Sequence, residues 1–418
     1  MIVFNSRTQN YYQDKKIMQL EKSKNRALGI VIAIVFLNSV GMTIVFPLLP
    51  FLVGKYLPES QVVVGMSALM SVFAACTFLA APVFGTLSDR YGRKRILFIS
   101  LIGSMAGYLL FGIGGSLWIL FLGRIIDGLT AGNISTLFAY ISDVTRPEER
   151  TKWFGYIGGA TGIGFIVGPA LGGWLGAVSI SLPFFITAAL ILVSALSILA
   201  FLPESLSIEK RLKHISFKNM NTVTHFKDIF SLKESKNLLI LGAFFAIGMG
   251  IYQNNVNIYL KDIFHWGPAL IGSILTLIGI CDILSRTILL PFMLKKFNER
   301  SIGIFGLLGV SFGLGLIFLS AYFPSSYIIF IAVTFITLGE GLFEPSFNSN
   351  LSKSVDESQQ GKLQGVNQSL QSVYRVIIPL GAAAIYVYSP AALYIIAAAI
   401  AMGALLMFIN LNPKTVTV

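Results

Sequence analysis

The chain has 418 residues, of which 55% are hydrophobic and only 12% are charged. Soluble domains usually carry about 25% charged residues, so this composition excludes an ordinary soluble protein and indicates a membrane protein. The formal net charge of +12 is compatible with an acidic partner such as nucleic acid, and only the placement of the basic residues can decide that point.

The apolar residues fall into twelve segments of helical length, and about 20 apolar residues suffice for a helix to cross a bilayer. We number these segments spans 1 to 12; they run over 27–49, 61–84, 96–114, 117–141, 153–177, 181–202, 238–260, 268–293, 301–321, 326–350, 362–387 and 391–411. We therefore predict an all-α integral membrane protein. Its expected parts are an N-terminal tail (1–26), a six-helix bundle (27–202), a linker (203–236), a second six-helix bundle (237–411) and a short tail (412–418).

The basic residues are distributed very unevenly over the segments that connect the spans. Of the 31 lysines and arginines, 26 lie in the two tails, the linker and alternate loops, whereas the other loops hold only Lys55 and Lys261. Basic loops stay on the cytosolic side of a membrane. We therefore predict that both termini are cytosolic, and the net charge requires no nucleic acid.

The two halves of the chain echo each other. Asp127-Gly128-Leu129 in span 4 matches Glu340-Gly341-Leu342 in span 10, and residues 150–155 before span 5 resemble residues 360–365 before span 11. The shared order predicts a duplicated six-helix unit. Repeats with a binding site between them are an established plan for secondary transporters.

The loop between spans 2 and 3 closely resembles the signature loop of the major facilitator superfamily. Its matching residues are Gly85, Asp89, Arg90, Gly92 and Arg93. Glycine gives a backbone room to turn, so we expect both glycines to shape a cytosolic hairpin.

Other stretches resemble motifs of the same family. Leu122-Gly123-Arg124 resembles the arginine motif of its helix 4, and residues 164–173 resemble the helix 5 motif of its antiporters. Residues 150–155 and 359–365 look like the group that contains the tetracycline exporters. The resemblance covers nearly the whole chain.

The resemblance implies two bundles that rock about a central cavity, with spans 3, 6, 9 and 12 outside. It also implies a close contact between the halves, made by a glycine stripe in span 5 and typical of exporters; the stripe comprises Gly164, Gly168, Gly172 and Gly173, with Pro169 among them. The alternative is simple packing of a glycine-rich membrane helix.

The loop is expected to gate this movement. Asp89 can accept hydrogen bonds from the free amides at a helix start, and we predict that it contacts the start of span 11 near residues 361–365. That contact would hold the cytosolic side shut while the cavity faces out.

Ionisable residues inside a membrane are costly and mark pathways. Seven lie well inside the spans, and none is in spans 3, 6, 9 or 12; they are Arg124, Asp127, Asp282, Arg286, Glu340, Glu344 and Arg375. The spacings of Arg124 with Asp127 and of Asp282 with Arg286 place each pair on one helix face. Structural ion pairs and proton-coupling groups both remain open for these four residues.

Glu340 and Glu344 are the leading candidates for proton coupling, followed by Asp127 and Asp282. Two carboxylates on one face disfavour joint ionisation, so one of them is expected to hold a proton near neutral pH. Arg375, in the neighbouring span, is the expected counter-charge.

Uncharged polar and aromatic residues of spans 1, 4, 7 and 10 are candidates for a substrate surface: Asn38, Asn133, Gln253, Asn254, Asn257, Asn348, Phe343 and Phe347. For each aromatic residue, ordinary packing is the alternative. The acidic positions of the tetracycline exporters are changed, since Asn38, Gly107 and Val310 stand there and Asp282 replaces a histidine.

We therefore expect a proton-coupled exporter of small amphiphilic organic molecules, in a bacterial inner membrane and monomeric. The alternatives are an importer or proton symporter of the same fold, and a transport-inactive receptor or scaffold. The three histidines form no catalytic or metal cluster in the sequence and no phosphate-binding loop is present, so we expect no enzyme, metal or cofactor.

Overall fold

The structure is a computed structural model that describes residues 25–131, 133–212, 235–356 and 359–411. It contains twelve helices long and apolar enough to cross a membrane. They are α1 (Asn25–Ile44), α2 (Glu59–Tyr91), α3 (Arg93–Ile113), α4 (Leu117–Thr130 and Asn133–Val144), α5 (Pro147–Val178), α6 (Leu182–Phe201), α7 (Lys236–Phe264), α8 (Pro268–Leu294), α9 (Glu299–Ser320), α10 (Ser326–Ser352), α11 (Gln360–Tyr388) and α12 (Pro390–Asn410). Each predicted span corresponds to one of them, so the predicted fold class is confirmed.

Three helix boundaries differ from the prediction by five residues or more: the end of α1, the end of α2 and the start of α5, which begins at Pro147 rather than near residue 153. The first helix ends at Ile44 rather than near residue 49, and a separate short helix, Leu49–Val53, follows. Pro47 and Pro50 lie in this region, and a proline cannot donate the hydrogen bond that continues a helix.

The turn between α2 and α3 is tighter than predicted. Helix α2 continues to Tyr91, so Gly85 lies inside a helix, and Gly92 alone makes the turn at φ 99°. The prediction that both glycines shape a hairpin is therefore wrong. The apolar run of α2 ends before the helix does, and the helix continues through polar residues. The hydrophobic pattern therefore placed the end of α2 too early.

Helix packing repeats between the two halves. Helix α3 packs on α4 and α6 as α9 packs on α10 and α12, and α2 packs on α4 as α8 packs on α10. Between the halves, the main contacts are α5 with α8 and α2 with α11, which are equivalent if α7–α12 repeats α1–α6. The fold is thus two pseudo-symmetric six-helix bundles.

We call the side of the membrane on which α2 ends and α3 begins the basic side, and the other the opposite side. On the opposite side α5 and α8 touch, because a Cβ built on Gly173 would lie 2.5 Å from the Pro268 carbonyl oxygen and 2.8 Å from the Gly272 Cα. The Asn257 amide also donates to the Phe46 carbonyl oxygen across the bundles, at 3.1 Å.

Toward the basic side the same two helices diverge. Gly162 still faces Ile283 of α8, at 3.5 Å from a built Cβ, but a Cβ on Gly155, Gly158 or Gly159 would meet no atom of the described residues within 4 Å. These glycines share a helix face with Gly162 by their three- and four-residue spacing. A cleft between the bundles therefore opens on the basic side.

Candidate functional site

The cleft narrows where α8 carries its charged residues. The α8 face that meets α5 includes Gly272, Thr276, Gly279 and Ile283, and Arg286 follows Ile283 on that face by helical spacing. Arg286 thus lies where the two bundles begin to separate, a position we call the cleft apex.

At the cleft apex one arginine holds two carboxylates. The Arg286 Nε lies 2.8 Å from Asp282 Oδ1, and its Nη2 lies 2.7 Å from Glu344 Oε2. All three side chains are partly exposed, at 37%, 35% and 44%. Charge-assisted bonds from two nitrogens of one guanidinium fix direction as well as distance, so this cluster ties α8 to α10.

The pairing differs from the predicted counter-charge. Arg375 is exposed on α11, and within the described ranges no carboxylate lies within 4.0 Å of it. Arg286 supplies the counter-charge of Glu344 instead, because α8 packs against α10. The sequence alone does not show which neighbouring helix a side chain faces. The ion pair of Asp282 with Arg286, one of the two alternatives that the sequence left open, is present in the structure.

Glu340 lies one helical turn from Glu344 but has a different environment. Its Oε1 accepts a hydrogen bond from Gln253 Nε2 of α7 at 3.1 Å. Among the residues that the structure describes, no cation lies within 4.0 Å of its carboxylate, since Arg286 is engaged by Asp282 and Glu344. Glu340 is therefore the apex carboxylate without a cationic partner.

Helix α8 is irregular at this point. Residues Ser285–Leu289 form a π-helical segment, and the buried Ser285 hydroxyl donates to the Leu338 carbonyl oxygen at 2.9 Å. Gly341 allows this approach, because a Cβ there would lie 2.6 Å from the Ser285 Oγ. Single π-helical turns often occur at functional sites, and this one contains Arg286.

The first bundle holds a different and more closed ion pair. Arg124 and Asp127 lie 3.7 Å apart and are only 5% and 7% exposed. The Arg124 guanidinium also lies over the rings of Phe73 and Phe111, at 5.1 Å and 4.8 Å from their centroids. Gly107 leaves room for Asp127, whose Cβ would be 2.8 Å from a Cβ at position 107. These contacts support the structural alternative for this pair.

The predicted polar residues do not all lie together. Gln253 and Asn348 are exposed, Asn254 donates to the Gly250 carbonyl oxygen, and Asn38 is half-buried with its amide nitrogen unpartnered among the described residues. The side chain of Asn133 lies outside the described residues.

Two predicted aromatic residues lie in a core rather than at the cleft. Phe343 is 0% and Phe347 is 5% exposed, and their rings stack at 5.6 Å. They pack with Phe245 and Phe408 inside the second bundle. Their role here is packing, and we do not retain either as a substrate contact.

The glycine stripe of α5 divides its contacts between two partners. Gly164, Gly168 and Gly172 pack against α1 in the same bundle, and only Gly173 of the four meets α8. The four-residue spacing keeps the first three on one face, whereas Gly173 points about 100° further round the helix. The expected contact between halves therefore rests on Gly173 and on its neighbours near Pro169.

The charged loop forms a network within the first bundle. Asp89 pairs with Arg93 at 2.5 Å, and Arg93 also pairs with Asp143 at 3.1 Å. Glu204, after α6, accepts from the Arg93 amide at 2.8 Å and from the Lys94 amide at 3.3 Å. Glu204 thus caps the start of α3, where a negative charge is stabilised.

The predicted contact of Asp89 with the start of α11 belongs to a conformation whose cytosolic side is shut. In the present conformation the basic side is open and Asp89 pairs with Arg93, so that contact stays a prediction. The Arg90 guanidinium lies over the Tyr91 ring at 5.4 Å. The sequence did not lead us to predict that Glu204 caps α3. The available signal was an acidic residue directly after span 6.

Comparisons with known proteins bear on the whole chain. The Major Facilitator Superfamily profile matches residues 31–379 and 238–417. Tetracycline resistance protein, class H, of Pasteurella multocida is 32% identical over 371 residues, which cover 88% of this chain and 90% of that protein. Multidrug resistance protein 2 of Bacillus subtilis (strain 168) is 28% identical over 370 residues, covering 86% and 89%.

Solved structures show the same fold at low identity. A crystal structure of the peptide transporter POT in complex with sulfate has a TM-score of 0.75 at 14% identity, covering 94% of this chain and 95% of that one. The human organic anion transporter MFSD10 has a TM-score of 0.67 at 19% identity, covering 92% and 99%. At these identities the likeness concerns the fold alone.

Proposed function

The chain belongs to the major facilitator superfamily of membrane transporters, and we propose that it is a proton-coupled exporter of small amphiphilic organic molecules. The observation that carries this proposal is Glu340 at the cleft apex, bonded to Gln253 and, among the residues that the structure describes, without a cation within 4.0 Å. A partly buried carboxylate that lacks a compensating charge is costly, and binding a proton removes that cost.

The geometry supports competition between proton and substrate. Gln253 donates to the Glu340 carboxylate, so a proton on Glu340 weakens that hydrogen bond and changes what the apex offers to a ligand. Asp282 and Glu344 share Arg286 and already have their compensating charge. Glu340 is therefore the proposed proton carrier, and the trio around Arg286 is proposed to hold the apex in shape.

The substrate class follows from the cleft and the relatives. Exposed Gln253 and Asn348 lie on helices whose other faces are apolar, and a mixed surface of this kind suits amphiphilic organic molecules. Relatives are named for resistance to tetracycline and to multiple drugs, and removal of a compound from the cell would confer such resistance. We infer export of drugs or metabolites of this kind.

The proposal includes a location and a working unit. The basic side is taken to be the cytosol of a bacterial cell, with both termini there and the chain in the inner membrane. The cleft described here then faces the cytosol, where an exporter collects its cargo. The working unit is a single chain.

The test uses purified protein in vesicles of bacterial lipid, with ethidium and tetracycline as probes. Wild type should accumulate probe when a proton gradient is imposed, and probe movement should be accompanied by proton movement in the opposite direction. Glu340→Gln should lose gradient-driven accumulation but retain exchange of labelled for unlabelled probe. The matched control is Glu59→Gln, since Glu59 is exposed at the opposite-side end of α2, and it should behave as wild type.

Two results would contradict the proposal. Protons and probe moving in the same direction would favour the symporter of the same fold. Full gradient-driven accumulation by Glu340→Gln would remove Glu340 as the proton carrier.

A further inference from the structure

Arg375 is an exposed cation in the middle of a membrane helix. It lies 15 residues after the first residue of α11 and 13 residues before the last, which is about 20 Å from either end at about 1.5 Å per residue. Over that distance the side chain cannot reach the lipid headgroups. Its guanidinium makes no hydrogen bond, ion pair or ring contact with any residue that the structure describes. Arg375 therefore needs a counter-charge or water at mid-membrane.

The face of α11 that carries Arg375 points into the protein. Gln364, Gln368, Arg375, Ala382 and Tyr386 follow one another at steps of four or seven residues, which keeps them on one side of a helix. Toward the opposite side, Ala382 and Tyr386 are only 3% and 5% exposed, and the Tyr386 hydroxyl donates a hydrogen bond to α7. This side of α11 is therefore packed inside the protein where the two bundles are closed.

Toward the basic side the same face of α11 is open. Gln364, Gln368 and Arg375 are exposed, whereas Leu363 and Val366, on the other side of this stretch, are fully buried in the core of the second bundle. Two amides and a guanidinium against lipid would be costly, and a face that is packed at one end and open at the other is what a cleft between bundles produces. Arg375 therefore faces the cleft.

Arg375 and Glu340 lie on helices that pack against the same part of α7. A Cβ built on Gly250 would lie 3.0 Å from Ile378 Cδ1 of α11, and Gln253, three residues further along α7, donates to Glu340. Arg375 precedes Ile378 by three residues, so it lies about 9 Å closer to the basic side than Glu340 at about 1.5 Å per residue. The second bundle thus presents a cation and an anion to the cleft within the length of one small organic molecule.

The other two arginines inside the spans show what Arg375 lacks. Arg124 and Arg286 each have a carboxylate within 4.0 Å, which offsets the cost of a cation at that depth. Glutamine would keep the Arg375 position polar without that cost, as it does at Gln364 and Gln368. A guanidinium matches a carboxylate in two parallel hydrogen bonds, so a bound molecule with an acidic group would complete Arg375.

We propose that Arg375 binds an acidic group of the cargo, and that the preferred cargo is a zwitterionic amphiphile. This inference deepens the proposed function and rests on it. The acidic group pairs with Arg375, and a cationic group of the same molecule takes the place of the proton at Glu340. Glu340 repels a molecule that has only the acidic group, whereas a molecule that has only the cationic group leaves Arg375 without a counter-charge.

The test uses three competitors with one ring skeleton. A rhodamine with a free carboxylate is the zwitterion, its methyl ester is the cation, and fluorescein is the anion. Each is added while the full-length protein in lipid vesicles exchanges labelled for unlabelled ethidium, and the concentration that halves this exchange is measured. The zwitterion should act at a concentration about tenfold or more below that of either relative, because hydrogen bonds between charged groups are the strong ones.

Substitutions of Arg375 then identify the group that recognises the acid. Arg375→Gln should remove the advantage, so that the zwitterion and its methyl ester compete at similar concentrations. Arg375→Lys keeps the positive charge and should keep most of the advantage. The matched control is Arg95→Gln, since Arg95 is an exposed arginine at the start of α3, and it should show the wild-type ratio of the two concentrations.

The outcomes separate this inference from the proposed function. Ethidium exchange without a preference for the zwitterion in wild type, or with the same preference in Arg375→Gln, would overturn the inference alone. Equal weakening of the zwitterion and its methyl ester in Arg375→Gln would show a structural role and would also overturn it. Fluorescein that competes as well as the zwitterion would refute the need for a cationic group. Failure of the proposed function has a different signature, since wild type would then not accumulate ethidium when a proton gradient is imposed.

Discussion

Replacement of Gly173 by alanine should destabilise the conformation that is closed on the opposite side. The new Cβ would lie 2.8 Å from the Gly272 Cα and 2.5 Å from the Pro268 carbonyl oxygen. Carbon atoms pack best at about 3.5–4.0 Å, so α5 and α8 have to separate by about 0.7 Å or more. Overpacking of this kind costs about 1–3 kcal/mol, which shifts a two-state equilibrium by about 5- to 150-fold.

The assay measures the separation of the two helices directly. Spin labels at Val178 and Leu270 mark the opposite-side ends of α5 and α8, and both positions are well exposed, at 80% and 53%. The two native cysteines, Cys76 and Cys281, are free and are replaced by alanine. We expect Gly173→Ala to transfer population to longer distances and to slow transport.

The matched control is Gly315→Ala. Gly315 lies in α9, and a Cβ built there meets no atom of the described residues within 4 Å, so the same chemical change should leave the distances and the rate unchanged. Wild-type distances and rate in Gly173→Ala, or equal shifts in both variants, would refute the reasoning.

Two further predictions concern the basic side, and both are checked by thermal unfolding in detergent. Gly92→Ala should lower the unfolding temperature, because its backbone at φ 99° and ψ 151° lies in a region that is essentially restricted to glycine and costs about 1–3 kcal/mol with a side chain, whereas Gly85→Ala in helix α2 should not lower it. Glu204→Gln should destabilise the protein by about 1 kcal/mol, because it removes the negative charge at the start of α3; the exposed Glu209→Gln is its control, and equal effects of the two would contradict the capping role.

Most of the fold could be predicted from the sequence. Nine of the twelve spans require only shifts of four residues or fewer at their ends, because the transfer of apolar residues from water into lipid depends on local composition. Helix ends were misplaced where backbone geometry overrides composition. Near Ile44, prolines end a helix inside an apolar run. Near Gly85, a helix continues through polar residues.

The candidate site was predictable only in part. Spacing placed Asp282 and Arg286 on one face, and the structure has that ion pair. Spacing could not show that Glu344 is the second partner of Arg286, or that Arg375 is not that partner. Both facts depend on how α8, α10 and α11 are rotated about their axes. The burial of Phe343 could not be predicted from the sequence either. Whether an aromatic residue of a membrane helix lines a cleft or packs in a core depends on which helices lie next to it.

The amino-acid sequence by itself determined the number of membrane helices, their order, the charge asymmetry of the loops and the family. These properties are local or cumulative, because hydrophobicity and loop charge act residue by residue. The tertiary structure alone decided which carboxylates share Arg286, which glycine joins the bundles, and that Glu340 meets Gln253 of α7. Those relations depend on side chains from separate helices that meet only after the bundles pack, so no pattern along one helix contains them.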